Sequence, residues 1–197
     1  IFIAVTLFGV SVAGAQDLQS QRGESQSVDK VPGEVLDHDG LMLNPIPQHV
    51  ERMFEEVDIT RGFALRGKAK GYAEELGFLK IDKRGLPLNI VCSERAADKL
   101  DMEEIVGTYM LKVSKAGVTI TAADDTGVFY AIQTLRQIIE SEDAHDGGVR
   151  EVAVYDYPDL KYRGVVEGFY GEPWSHETRL SLIDFYGRYK MNYYPII

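Results

Sequence analysis

The stretch RGVVEGFYGEPWS, Arg163 to Ser175, gathers three glycines, three aromatic residues, a proline and two glutamates. Gly168 and Gly171 let the backbone approach a ligand or take positive φ. Phe169, Tyr170 and Trp174 offer flat apolar faces on which the C–H face of a sugar ring can stack. Pro173 stiffens the exit from the loop. The same residues also describe a turn whose aromatic side chains merely plug the mouth of a fold, and by themselves they leave both readings open. Another group of catalytic residue types is the adjacent aspartate pair Asp124-Asp125 in TAADDTG. It stands at a strand-to-helix turn, where capping and turn formation account for it without any chemistry.

The remaining candidates are sparse. His38, His49, His145 and His176 lack the i, i+4 spacing of a helical zinc pair, so each is read as solvated or capping and no metal or cofactor is expected. A lone G-x-x-G falls short of the G-x-G-x-x-G of a dinucleotide site. Neither a phosphate loop nor a nucleophile elbow is present. Cys92 is the single cysteine of the chain. That excludes an intrachain disulfide, and within LNIVCS it reads as a small core residue. The 197 residues are 45% apolar and 26% charged, an ordinary globular composition, with a formal charge of -10. That charge repels phosphates and argues against nucleic acid; a neutral or sugar-like partner suits it better, although acidity alone mostly reports solubility.

The chain opens with IFIAVTLFGVSVAGA, an apolar run ending in a small-x-small exit. This is the pattern of a secretory signal and its cleavage site, too short for a membrane span. Residues 1–15 are therefore expected to be part of a signal peptide and the protein to be exported, to the periplasm or the extracellular space. The missing initiator Met and basic leader suggest a sequence that begins inside its own signal. Residues 16–41, polar and broken by Gly and Pro, read as a flexible leader.

The elements that would position the candidate loop come next. Short extended pieces are expected at Val50–Phe54, Val57–Ile59 and Phe63–Leu65, and a weak helix in KAKGYAEELGFL. LNIVCS reads as a buried strand. TYMLKV and VTITA flank the turn Ser114-Lys115-Ala116-Gly117 and read as a β-hairpin. In DDTGVFYAIQTLRQIIE the residues Val128, Ile132, Leu135 and Ile139 recur at helical spacing, with Phe129 and Ile138 widening the stripe. REVAVYDYP is a further strand closed by Pro158. From Lys161 a new pattern starts: extended YRGVVEG, a loop, a helix capped by Ser175 that carries Leu180, Ile183 and Tyr186–Gly187, and MNYY as the start of another strand. That is one unit of a parallel α/β fold. The expected domains are 42–160, a small α/β domain, and 161–197, the first strand-helix unit of a truncated (β/α)8 barrel. The first should fold by itself; the second should lack the neighbours that would hold it.

The run YRGVVEGFYGEPWSHETRLSLIDFYGRYKMNYY resembles the opening of the catalytic barrel in glycoside hydrolase family 84, the O-GlcNAcase-type β-N-acetylglucosaminidases and related hyaluronidases. GTYMLKV…GVTITAADDTGVFYAIQTLRQII is similar to the α/β domain that precedes the barrel there and in family 20 hexosaminidases. Family 20 would open its barrel with a run like Arg-Gly-x-x-Leu-Asp instead. The resemblance spans roughly residues 42–194. It implies retaining, substrate-assisted cleavage of a terminal β-linked N-acetylglucosamine, in which the 2-acetamido oxygen forms an oxazoline. It implies two aspartates, one polarising the acetamido group and one acting as acid and base, which belong to a later strand; no catalytic residue is assigned in this chain. Gly168 matches a glycine whose backbone lines the sugar subsite, and Tyr170 a pocket-wall tyrosine. Glu167 is read as a buried, paired carboxylate rather than an acid, with Arg163 as its structural partner. Where the family continues to Pro-Lys-Asp-Asp, this chain reads Pro195-Ile196-Ile197, which is expected to be a truncation or frameshift. A non-catalytic glycan-binding module and a family 20 β-hexosaminidase are the alternatives.

Overall fold

The computed structural model describes residues 41–141, 147–168 and 171–196. The signal and leader assigned to residues 1–40 lie outside them. Among the described residues six strands form one sheet: β1 (His49–Asp58), β2 (Phe63–Gly67), β3 (Leu86–Cys92), β4 (Tyr109–Ser114), β5 (Gly117–Ala122) and β6 (Gly148–Asp156), in the order β1-β6-β4-β5-β3-β2. The β4–β5 hairpin turns through Lys115-Ala116, with Ser114 opposite Gly117 and Tyr109 opposite Ala122. β6 pairs antiparallel with both β4 and β1, whereas β5, β3 and β2 run parallel. A parallel pair needs a long crossover; residues 68–85 supply it between β2 and β3.

Strand β4 alternates buried Tyr109, Leu111 and Val113 with more exposed neighbours, the signature of a sheet covered on one face. The cover is α2 (Asp125–Glu140), since the five-residue α1 (Glu94–Asp98) is too short to shield a sheet. Val128, Ala131, Ile132, Leu135 and Ile138 of α2 are buried against Leu88, Leu111, Val118, Ile120 and Val154 of the strands. Each such valine, leucine or isoleucine contributes about 1.5–3 kcal/mol on leaving water. Ile138 is buried and Ile139 only partly, so the stripe turns slightly from the one read in the sequence. Asp124 caps the helix, its Oδ1 accepting from the Gly127 N–H at 2.8 Å.

Two local readings are corrected. The two pieces expected at 50–54 and 57–59 are one strand. It reads as two because residues 53–55 of β1 face a single residue of β6, between the buried Val50 and Val57. KAKGYAEELGFL is a 3₁₀ turn, Lys68–Tyr72, followed by turns rather than an α-helix. Gly71 and Gly77 raise the entropic cost of helix there, while Ala69, Leu76 and Leu79 still reach the core. Residues 161–196, expected to lack the barrel neighbours that would hold them, contact the α/β domain through Arg163 and Lys190. In that segment Gly164 bridges Tyr193 and Glu167 bridges Ile196, both parallel, and α3 (His176–Arg188) stands between. Leu180 and Ile183 on α3 are 54% and 49% exposed. Among the described residues no helix is long and apolar enough to cross a membrane.

Gly127 sits where α2 meets the sheet. A Cβ there would lie 2.4 Å from the Thr108 carbonyl oxygen and 2.9 Å from the Ala122 Cβ. Gly127→Ala is expected to destabilise the fold by the roughly 1–3 kcal/mol of overpacking, against the ~1 kcal/mol by which helix propensity favours alanine. A urea midpoint equal to or above wild type would contradict this.

Candidate functional site

The glycine-rich loop leaves the end of the strand-like run 163–167 and returns at Ser175, which caps α3 by accepting from the Thr178 N–H at 3.1 Å. Gly164 makes the close approach on which this run depends. A Cβ there would fall 1.6 Å from the Tyr193 carbonyl oxygen, the acceptor for the Val165 N–H at 3.2 Å. Two residues further along the same run, the Glu167 N–H donates to the Pro195 carbonyl at 3.0 Å. The loop and its base enclose an open concavity of about 370 Å³ lined by Val166, Glu167, Gly168, Gly171, Glu172, Pro173 and Trp174. Gly168 is exposed at its rim. Gly171 has nothing within 4 Å of a built Cβ. Trp174, the single tryptophan of the chain, is 43% exposed. Phe169 and the expected wall residue Tyr170 lie outside the described residues.

Glu167 is the organising group. Its side chain is buried, 4% exposed. Arg179 grips the carboxylate bidentately, Nη2 to Oε1 at 2.6 Å and Nε to Oε2 at 2.9 Å. The Tyr194 hydroxyl donates to Oε2, and the Trp174 backbone N–H donates to the same carboxylate. One carboxylate thus ties together the loop's start, its end, the first turn of α3 and the neighbouring strand. Its hydrogen bonds from Arg179 and then Tyr194 draw the Glu167 pKa from the ordinary 4.5 down to about 2, against the opposing effect of burial. An acid that must hold a proton near neutrality is tuned the other way, so Glu167 is structural. The partner expected for it, Arg163, is not the one found. Arg163 points to the other end of the run, and Arg179 takes its place. An arginine in the first helical turn opposes the helix dipole, and the carboxylate compensates it.

Arg163 joins a second buried cluster. Its Nη2 donates to the Tyr130 hydroxyl at 2.8 Å and to the Lys190 carbonyl at 2.9 Å, its Nη1 to the Leu160 carbonyl at 2.5 Å. The Lys190 ammonium donates to Asp156 Oδ2 and to the Tyr109 hydroxyl, both at 2.8 Å, and the Tyr109 hydroxyl contacts Thr134 Oγ1 at 2.6 Å. Burial lowers the Lys190 pKa, with Asp156 working against it; burial and then Asp156 raise that of Tyr109. Lys190 was not singled out by its sequence context.

The other candidates sit elsewhere. Asp124 is the α2 cap and also accepts from the Gly107 N–H at 3.1 Å. Asp125 accepts from the Tyr72 hydroxyl at 2.5 Å and faces the Cys92 thiol at 3.6 Å. Those hydrogen bonds hold the Asp125 carboxyl below its usual range, while burial and then Asp125 push the thiol up. His49 pairs with Glu51 at 3.1 Å on the surface and His176 opens α3; His38 and His145 lie outside the described residues. Among the described residues no three His, Cys, Asp or Glu side chains are grouped to hold a metal.

Comparison with known proteins finds two families along the chain. Residues 41–157 match glycosyl hydrolase family 20, domain 2, and residues 163–195 match the family described as beta-N-acetylglucosaminidase. The N,N'-diacetylchitobiase of Vibrio harveyi is 31% identical over 160 residues, 76% of this chain and 17% of that protein. The solved structure of CpGH84B is 30% identical over 78% of this chain and 29% of its own, with a TM-score of 0.62. The family 20 exo β-N-acetylglucosaminidase of Vibrio harveyi, solved with N-acetylglucosamine, shares the fold at 22% identity and a TM-score of 0.57, over 78% of this chain and 25% of its own. The chain therefore spans less than a third of the length of each of these relatives. The expected resemblance to family 84 is met by matches to both families, so what they support is the broader hexosaminidase class.

The Glu167 clamp predicts a pH response. Because the folded pKa is depressed, its stabilisation is complete above the ordinary 4.5 and is lost as pH falls through about 2. Trp174 emission is expected to change across that window in the wild type, and Glu167→Gln to remove the change. An identical acid titration in the variant would show that Glu167 does not hold the loop.

Proposed function

The chain belongs to glycosyl hydrolase family 20, domain 2, through residues 41–157, and from that premise we propose that it is the front part of a β-N-acetylglucosaminidase. The observation that carries this reading is a juxtaposition. The family 20 domain leads directly into a segment matching the β-N-acetylglucosaminidase family, and that segment builds a glycine- and tryptophan-lined concavity where a parallel strand ends. The ends of parallel strands are where such folds keep their sites. The proposal assigns the Gly168 backbone and the Tyr170 ring to the wall of the sugar subsite, residues 161–197 to the start of a (β/α)8 barrel, and the protein to an exported compartment.

The reaction then follows the substrate-assisted course. The acetamido oxygen attacks C1 as the bond to the leaving oxygen breaks, and a carboxylic acid donates its proton to that oxygen. The same carboxylate next takes a proton from water, which opens the oxazoline with net retention. Glu167 is already committed to Arg179, so the acid and its polarising neighbour come from a later strand. The finer assignment to family 84 rests on RGVVEGFYGEPWS, which departs from the Arg-Gly-x-x-Leu-Asp opening expected for family 20. The domain match and the chitobiase support family 20 as the second reading. An adjacent Asp-Asp pair farther along the full-length chain selects the first, an Asp-Glu pair the second.

Full-length enzyme is expected to release p-nitrophenol from p-nitrophenyl N-acetyl-β-glucosaminide, with the β-anomer formed first by NMR, and residues 1–197 alone to release none. Gly168→Val should lower kcat/KM by about 100-fold, the loss typical of an ångström-scale misplacement at a site, with the unfolding midpoint unchanged. A full-length chain that binds N-acetylglucosamine without cleaving the glycoside would make the protein a glycan-binding module instead.

A further inference from the structure

The loop segment is fastened at both ends, and the lower fastening belongs to the α/β domain. Lys190 follows α3 in the left-handed conformation, φ 58°. Its N–H donates to the Gly187 carbonyl and the Met191 N–H to the Tyr186 carbonyl, both at 3.0 Å, the paired bonds of a Schellman motif. That position strongly favours glycine. A lysine there has to be held by its side chain, and this one is 4% exposed, its ammonium between Asp156 of β6 and Tyr109 of β4 and 5.0 Å from the Tyr109 ring centre. Its carbonyl accepts from Arg163 Nε at 3.2 Å and Nη2 at 2.9 Å. The Arg163 carbonyl in turn accepts from the N–H groups of Asn192 at 2.8 Å and Tyr193 at 3.0 Å. Arg163 begins the run that ends at Gly168.

We infer that Lys190 is a positioning residue for the glycine loop: the corner it forms, locked into the sheet, carries the placement of the α/β domain through Arg163 to Gly168. The domain that precedes the site is then a platform that sets where the loop stands. The inference rests on the loop's being the sugar-facing wall, yet it is tested independently of cleavage.

Lys190→Gly separates positioning from helix capping, because glycine relieves the left-handed strain and keeps the Schellman motif while the lock is lost. In the 197-residue chain this variant is expected to speed amide exchange at Val165 and Glu167 by about tenfold or more, the sign of local opening. Acrylamide quenching of Trp174 should rise with it, and the β4 and β5 amides should keep wild-type protection. Lys190→Arg, which can still reach Asp156, should return both signals toward wild type. Wild-type exchange at Val165 and Glu167 in Lys190→Gly would overturn the inference, as would loss of protection spread evenly through β4 and β5. Should the unpaired Asp156 unfold that variant, Asp156→Asn/Lys190→Gly is read in the same way. If the full-length enzyme cleaves no N-acetylglucosaminide, the functional proposal fails while these exchange rates still decide the role of Lys190.

Discussion

The seating of residues 161–196 on the sheet depends on one buried ion pair. Lys190 and Asp156 meet at 2.8 Å with side chains 5% and 11% exposed, far from the regime in which ion pairs contribute little. Burying two charges costs several kcal/mol each, and their attraction returns this only when further hydrogen bonds satisfy what remains. Here they do: Tyr109, Thr134 and the Gln48 N–H complete the cluster. The left-handed lysine itself costs about 1–2 kcal/mol relative to a right-handed residue. A conformation that a glycine would have adopted freely is maintained for the sake of the charge it delivers. Without it, α3 would meet the α/β domain with apolar side chains that are half exposed.

The two ionic clusters use opposite physics for related ends. Lys190 and Asp156 are deep, neutralise one another and join two parts of the chain distant in sequence. Glu167 and Arg179 are twelve positions apart, close a loop on itself, and are fully ionised at neutral pH because every contact to the carboxylate donates a hydrogen. A carboxylate in a sugar-sized concavity invites a catalytic reading. Its environment contradicts that reading: a general acid needs surroundings that disfavour the anion, and those of Glu167 favour it at every contact.

How far the sequence disclosed this depended on whether a feature was local. The β4–β5 hairpin, the α2 stripe and the Ser175 cap are written in adjacent residues, and periodicity finds them. The extra residues of β1 break the alternation that strand reading relies on, so one strand looked like two. Between Lys68 and Leu79 the buried residues are spaced helically, but the two glycines and the docking of that segment on β3 decided otherwise. At the site, the glycine–aromatic run was legible because its composition is unusual. Arg179 was not, since an arginine in a polar first turn carries no mark of its carboxylate partner. Nor was Lys190: Tyr-Lys-Met-Asn looks like any helix end, and only the tertiary path of the chain brings Asp156 beneath it.

The irregularity in β1 has a bearing on the protein's behaviour in crowded solution. Among the described residues β1 is the outermost strand on its side of the sheet, and a straight outermost strand offers a row of free N–H and C=O groups to any other chain. Residues 53–55 interrupt that row, with Phe54 thrown outward and Glu51, Glu55 and Glu56 around it. At the opposite side β2 is only five residues long. Both margins are thus short or interrupted, which limits the length over which a foreign strand could pair with them.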